Sequence, residues 1–257
     1  MFQRGQQNPY STYGPDVIDV NQVDQESVNA YIVKVFGWMF AGLLITAVTT
    51  MGIVYGISTS YAFAQMMDSL LNMFLVIFIA KVLAIGWLSA RVTQMNPVTA
   101  KLIYITYAVV NGLTFGLVAV LFAAQVGGIY TLGMAFGITA ASFGIMAVYG
   151  LTTRKDLTAF SSLFRMGLIG LIIASVANMF LGNSMMDFII CVVGLFIFLG
   201  LTARDTNMIK HQFAQVALKE GSNSPVASNL AIMGALMLYL NFINMFMFIL
   251  RLLGRNR

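Results

Sequence analysis

Long apolar stretches alternate with short polar turns along this chain. Seven apolar segments stand out, at residues 35–57, 70–90, 102–124, 129–150, 166–182, 186–203 and 229–250. About 20 apolar residues are enough for a helix to cross the roughly 30 Å hydrocarbon core of a bilayer. The pattern therefore predicts an all-α, polytopic membrane protein with seven transmembrane helices.

The polar segments divide the chain into a tail and a membrane domain. Residues 1–30 are rich in Gln, Asn, Ser and acidic residues, a composition typical of disordered segments. We interpret residues 1–30 as a flexible polar cytoplasmic tail and residues 31–257 as the seven-helix domain. The longest polar connection, residues 203–228, is interpreted as a loop between the last two helices.

Composition supports a membrane protein and limits the function classes. Of the 257 residues, 59% are hydrophobic and only 9% are charged, with a mean hydropathy of +0.85. Soluble domains carry charge on about a quarter of their residues. The net charge of +5 comes from short loops between apolar segments, so it indicates membrane orientation and not nucleic-acid binding.

The basic residues lie in loops on one side of the predicted membrane. This side carries Arg4, Lys34, Arg91, Lys101, Arg154, Lys155, Arg165, Arg204, Lys210 and Lys219. The loops on the other side contain only acidic charges, Asp68 and Asp187. Because cytoplasmic loops are enriched in Lys and Arg, the N-terminus is predicted to be cytoplasmic.

The C-terminal end conflicts with this rule. Seven crossings place Arg251, Arg255 and Arg257 on the side that is otherwise free of basic residues. The last segment therefore either spans the membrane despite its basic end or re-enters and returns. A full span is the preferred interpretation.

Three polar residues interrupt the apolar segments. Lys81 lies about 15 Å from either end of the second segment at the helical rise, too deep for its side chain to reach the interface. It is predicted to line a pore, to act as a latch, or to be a paired structural lysine. Asn241 and Asn244 in the last segment are three residues apart, so they share a helix face that should point into the bundle.

Two charged residues are predicted to lie at one membrane level. Asp205 follows the sixth segment and Arg91 ends the second. An Asp205–Arg91 pair is one interpretation. The alternative is a set of interfacial surface charges, which contribute little to stability.

Glycine pairs spaced four residues apart occur at Gly52/Gly56, Gly112/Gly116 and Gly133/Gly137. Small residues at this spacing let helix backbones approach closely. We expect them to pack helices within one molecule, and a dimer interface is the alternative.

Catalytic signatures are missing from the sequence. It contains no HExxH, no GxSxG and no glycine-rich phosphate loop. With one histidine and one cysteine, a protein-built metal site is not expected. The sequence thus predicts a protein that is not an enzyme and has no cofactor.

Three stretches carry a family resemblance: LYLNFINMFMFILRLLGRNR at the C-terminus, AVYGLTTRKDLTAFSSLFRMGLIGLIIASVANMFL, and GLTARDTNMIKH. Together they resemble the Bax inhibitor-1 family (transmembrane Bax-inhibitor-motif proteins), particularly its bacterial branch. The resemblance implies a central last helix and a pH-sensitive cation leak, mainly of calcium. It also implies a pH sensor of two aspartates latched by an arginine of the second helix. Asp205 matches the first aspartate, and Arg91 is matched to the arginine.

The second aspartate of the family motif is replaced here. The common LYLDFIN reads LYLNFIN, which puts Asn241 in the sensor position. Two neighbouring carboxylates raise each other's proton affinity, whereas an asparagine does not titrate. The resemblance therefore implies an altered, weakened pH response.

The main functional hypothesis is a pH-modulated calcium or cation leak channel in the lipid bilayer of a bacterial inner membrane. The alternative, also suggested by the family, is an interaction protein that regulates a membrane-bound protease, with the N-terminal tail as a contact segment. A proton-coupled transporter is less favoured, because it requires more intramembrane acids and broken helices.

Overall fold

The computed structural model describes residues 24–62, 65, 74–91, 94–125, 129–153, 155, 157–222 and 224–255. The predicted tail lies almost entirely outside these residues. Within these ranges the chain forms seven long helices: α1 (Gln25–Thr59), α2 (Phe74–Arg91), α3 (Pro97–Gln125), α4 (Ile129–Thr152), α5 (Ser161–Leu181), α6 (Ser184–Glu220) and α7 (Pro225–Gly254). A short 3-10 turn, Leu157–Phe160, precedes α5. The described residues contain no strand, which confirms the all-α prediction.

Each helix matches one of the predicted apolar segments. Among the described residues, six helices contain a stretch long and apolar enough to cross a membrane. The remaining helix, α2, has 18 residues, or about 27 Å at the helical rise. We call the end where α2, α4 and α6 finish and α3, α5 and α7 begin the basic end of the bundle.

The predicted loop at residues 203–228 is mostly helix, so this interpretation was wrong. Helix α6 continues to Glu220 and ends before Gly221, whose φ of 87° is left-handed. The extension buries Ile209 and Phe213, and the Phe213 ring stacks on Tyr31 of α1 at 4.0 Å between centroids. The polar residues of this extension lower its average hydrophobicity and give it the composition of a loop. One face of the helix is nevertheless apolar and buried.

Helix α1 also begins earlier than its apolar segment. The Asp24 side chain accepts a hydrogen bond from the Ser27 amide and caps the helix. Val28, Tyr31 and Val35 then recur at helical spacing and are all buried. The first turns of α1 therefore pack against the extension of α6 at the basic end.

The last helix is the centre of the bundle, as predicted. Of its apolar span, 61% is buried, compared with 6–44% for the other five spans. It is one unbroken helix, in agreement with a full span. At its far end Arg251 pairs with Asp187, and Arg255 donates a hydrogen bond to the Ser184 carbonyl oxygen at the start of α6. These contacts offset part of the positive charge that conflicts with the orientation rule.

One predicted glycine pair packs helices within the molecule. A Cβ added at Gly112 would lie 2.7 Å from the Thr46 carbonyl oxygen, and one at Gly116 would lie 2.6 Å from Ile53 Cβ. The backbones of α1 and α3 thus approach too closely for any larger residue. Gly133 and Gly137 have no atom within 4 Å of an added Cβ, so they do not pack helices in this way.

Gly150→Ala is expected to lower the free energy of unfolding by about 1–3 kcal/mol. The added Cβ would lie 2.3 Å from the Ala203 carbonyl oxygen, and both groups belong to helix backbones, so neither moves easily. The matched control is Gly144→Ala in the same helix, which meets no atom within 4 Å. The midpoint of thermal unfolding in detergent would measure both, and equal midpoints would contradict the close approach.

Candidate functional site

A buried carboxylate lies between α6 and α7. Asp205 is only 5% exposed. It lies on the same inward-facing side of α6 as Thr202, Thr206 and Ile209, which are also buried. Burying an ionised carboxylate is costly unless it is paired and hydrogen-bonded. The surroundings of Asp205 therefore decide whether it can carry a charge.

Both oxygens of the Asp205 carboxylate have donors. The Asn241 side-chain amide of α7 donates to Asp205 Oδ2 at 2.8 Å. The neighbouring Arg204 donates from Nη1 to Oδ1 at 2.6 Å and forms an ion pair with it. We call Arg204, Asp205 and Asn241 the α6–α7 latch, because the Asn241–Asp205 bond joins the two helices and Arg204 of α6 supplies the counter-charge of the carboxylate.

The guanidinium of Arg204 is itself positioned by the start of α5. Its Nε donates to the Ser161 hydroxyl at 3.1 Å, and that hydroxyl donates to the Thr158 carbonyl oxygen at 2.5 Å. A hydrogen-bonded chain therefore runs from the 3-10 turn through Ser161 and Arg204 to the buried carboxylate.

The next turn of α6 binds the end of α4. The Asn207 amide donates to the Gly150 carbonyl oxygen at 3.2 Å and accepts from the Leu157 amide at 3.4 Å. Lys210 donates to the Leu151 carbonyl oxygen at 3.4 Å. The last carbonyls of a helix lack partners within it, so these side chains complete the end of α4 beside the latch.

The structure places Arg204 where Arg91 was predicted. Arg91 is exposed at the end of α2, a helix that packs against α3, and it forms no ion pair with Asp205. Successive residues on a helix point about 100° apart, so Arg204 was not expected to face its neighbour. Its side chain is long enough to turn back to the carboxylate. Arg204 was thus the missed residue, next to Asp205 in the ARDTN motif.

The two asparagines of α7 have different partners. Asn241 is buried and binds α6, whereas Asn244 donates to the Leu240 carbonyl oxygen of its own helix at 2.7 Å. This bond to the preceding turn satisfies the Asn244 amide locally. The structure therefore gives the predicted latch contact to Asn241 and not to Asn244.

Lys81 lines a cavity between helices. The cavity has a volume of about 470 Å³ and lies between α2, α3 and α7, where Lys81 is accompanied by Thr106 and Tyr107 among apolar side chains. Lys81 is half-buried and does not contact the latch. Its role in a pore stays a prediction.

No three His, Cys, Asp or Glu side chains come together in the described part of the chain. Asp205 has Arg204 and Asn241 as its polar partners, and both offer hydrogen-bond donors. The arrangement holds a carboxylate between two helices, so the contact between α6 and α7 depends on the charge of Asp205.

A protein-family model described as "Inhibitor of apoptosis-promoting Bax1" matches residues 28–257. The match covers all seven helices except the first turn of α1. It includes Arg204, Asp205 and Asn241.

Bacterial relatives align along nearly the whole chain. The "Inner membrane protein YbhL" of Escherichia coli (strain K12) is 30% identical over 230 residues, which cover 90% of this chain and 93% of the relative. An uncharacterized protein of Rickettsia prowazekii is 34% identical, and the alignment covers 92% of this chain and 94% of that relative. Another uncharacterized protein, from Borreliella burgdorferi, is 34% identical, and the alignment covers 94% of this chain and 99% of that relative.

Proposed function

The chain belongs to the family of the inhibitor of apoptosis-promoting Bax1, and we propose that it is a pH-modulated leak channel for calcium and other cations. The observation that carries the proposal is the α6–α7 latch, a buried charge that joins the central helix to its neighbour. A buried ionisable group inside a membrane bundle usually serves a function, because its burial is costly.

The latch supports a closed state that depends on charge. While Asp205 is ionised, Arg204 and Asn241 hold both of its oxygens and α7 stays fixed against α6. Protonation of Asp205 removes its attraction for the Arg204 guanidinium of the same helix, and it replaces the charge-assisted hydrogen bond from Asn241 of α7 with a weaker, neutral one. The contact then weakens, and the central helix gains freedom to move relative to α6.

Asn241 limits how the latch responds to pH. An amide donates a hydrogen bond to the carboxylate at every physiological pH, so this contact does not titrate. A single carboxyl group then responds in place of a coupled pair. We therefore propose an altered pH response, with a shallower dependence than a site with two aspartates.

We also propose that the protein lies in the inner membrane of a bacterium, as the name of the Escherichia coli relative states for that protein. The basic end of the bundle would face the cytoplasm by the positive-inside rule. Reaction of an engineered cysteine near Lys219 with an impermeant reagent, from one side only, tests this orientation.

Arg204→Gln is expected to raise the calcium leak at neutral pH by about tenfold to a hundredfold. Without the counter-charge Asp205 is more readily protonated, and the charged hydrogen bond from Asn241, which contributes about 1.5–3 kcal/mol to the closed state, is weakened. Calcium flux into liposomes containing the purified protein measures the effect. The matched control is Arg91→Gln, which removes an exposed arginine that does not touch Asp205 and should leave the leak unchanged. A larger effect at Arg91 than at Arg204 would contradict the proposed latch.

A further inference from the structure

Two cavities lie one after the other along the bundle. The first, of about 260 Å³, lies between α1, α3, α4 and α7 and includes Phe115 and Phe242 in its lining. The second is the 470 Å³ cavity that contains Lys81, and it includes Val110 and Leu236. On α3 and α7 the second cavity is nearer the basic end. The two cavities are separated by about 8 Å along the helix axes, which is the rise from Val110 to Phe115 on α3 or from Leu236 to Phe242 on α7.

Buried polar side chains fill that interval. We call Thr46, Tyr107, Asn111 and Tyr239 the polar wall; each is at most 9% exposed. Thr46 also lines the first cavity and Tyr107 also lines the second. Their neighbours in both cavities are largely apolar, so the polar wall lies between two mainly apolar cavities.

One hydrogen bond closes the wall between α1 and α7. The hydroxyl oxygens of Thr46 and Tyr239 are 2.7 Å apart. Thr46 donates its single proton to the Ala108 carbonyl oxygen at 3.0 Å, so Tyr239 must be the donor to Thr46. Loss of the Tyr239 hydroxyl would therefore break the α1–α7 bond and leave the α1–α3 bond intact.

Asn111 leaves a hydrogen-bonding group of the wall unused. Its amide lies within reach of the hydroxyls of Tyr107 and Tyr239, but no acceptor among the described residues has full hydrogen-bond geometry to its Nδ2. An amide N–H that is buried without an acceptor is costly and favours hydration. The interval between the cavities is thus the place where water would enter most easily.

We propose that the polar wall is the gate of the cation route. In the closed state the Tyr239–Thr46 bond joins α7 to α1 between the cavities and blocks the passage of ions. When the bond opens, the cavities join, and the hydroxyl and amide groups offer a hydrated surface to a passing cation. This inference rests on the proposed leak function and adds the position of its gate.

The geometry also connects the gate to the α6–α7 latch. Tyr239 and Asn241 are two residues apart on α7, so they point to nearly opposite faces of the helix. One face is held by Thr46 of α1 and the other by Asp205 of α6. Release of the latch therefore frees α7 to rotate and to pull Tyr239 away from Thr46.

Cysteine labelling in sealed vesicles of known orientation tests the gate. In a Cys191→Ser background, Val110→Cys reports on the second cavity, and a small cationic methanethiosulfonate is added on the side away from the basic end. We expect Tyr239→Phe and Thr46→Val each to increase the labelling rate of this cysteine by about fivefold to tenfold, the effect of one lost hydrogen bond. An unchanged rate in both variants would overturn the gate.

Tyr104→Phe is the matched control. Tyr104 is equally buried, packs edge to face against Tyr239 and donates to the Trp38 carbonyl oxygen at 2.8 Å, but it lies outside the wall. Its loss should leave labelling unchanged, and an increase as large as that of Tyr239→Phe would overturn the gate. Faster labelling in Tyr239→Phe, with no calcium flux in any variant, would support a gate between the cavities and overturn the leak function.

Discussion

Asp205→Ala is expected to lower the free energy of unfolding by about 3 kcal/mol, the lower end of the cost of breaking a buried ion pair, because the Arg204 side chain is 21% exposed. The substitution leaves the Arg204 guanidinium without its counter-charge and the Asn241 amide without its acceptor. Thermal or denaturant unfolding in detergent measures the loss. Asp205→Asn keeps the volume of the side chain, so it shows how much of the loss comes from the charge.

Asp187→Ala is the matched control for this prediction. Asp187 also pairs with an arginine of the bundle, Arg251, but about a third of each side chain is exposed. Exposed pairs contribute only about 0–1 kcal/mol. If the two alanine variants were equally stable, the buried latch would not hold α6 to α7.

Asn241→Asp is expected to make both stability and leak depend strongly on pH. It places a second carboxylate where the amide now lies, 2.8 Å from Asp205 Oδ2. Two carboxylates this close do not both ionise without strong repulsion, so the folded state keeps a proton that the unfolded state releases. Stability must then fall as pH rises, by about 2–4 kcal/mol between pH 5 and pH 9.

The calcium leak through Asn241→Asp should change in the opposite direction to its stability. Repulsion between the two charges weakens the latch at high pH, so calcium flux through Asn241→Asp should increase with pH, whereas flux through the parent should decrease with pH as Asp205 loses its proton. Flux into liposomes across this pH range is the measurement. Identical pH profiles for the two proteins would show that Asn241 does not control the response.

Asn244→Asp provides the control for an added carboxylate at a partly buried position of the same helix. Asn244 bonds to its own helix and does not contact Asp205, so its variant lacks the paired carboxylates. In an Asp205→Asn background the unfolding free energy and calcium flux of Asn241→Asp should lose their strong pH dependence. The pH dependence of Asn244→Asp should be the same with and without Asp205. This double-mutant cycle isolates the coupling between the two positions.

The difference between Arg91 and Arg204 shows where sequence reasoning failed at the site. Arg91 was matched by family resemblance and by membrane level, which places residues along the bundle axis only. The structure shows that α2 packs on α3, away from Asp205, while Arg204 reaches back to its own neighbour. The extension of α6 to Glu220 was missed for a related reason. Its buried face appears only once α1 is packed against it.

The sequence alone determined the class of the protein, its helices and the unusual residue in its last helix. Hydrocarbon requires about 20 consecutive apolar residues per span, a local property that can be read without knowing any partner. Asn241 could also be recognised from the sequence alone, because it is a polar residue within an apolar segment. Only the tertiary structure decided which polar groups meet: Asn241 with Asp205, 36 residues away, and Thr46 with Tyr239, 193 residues away. These contacts depend on the rotation and tilt of each helix, which the packing of the whole bundle sets.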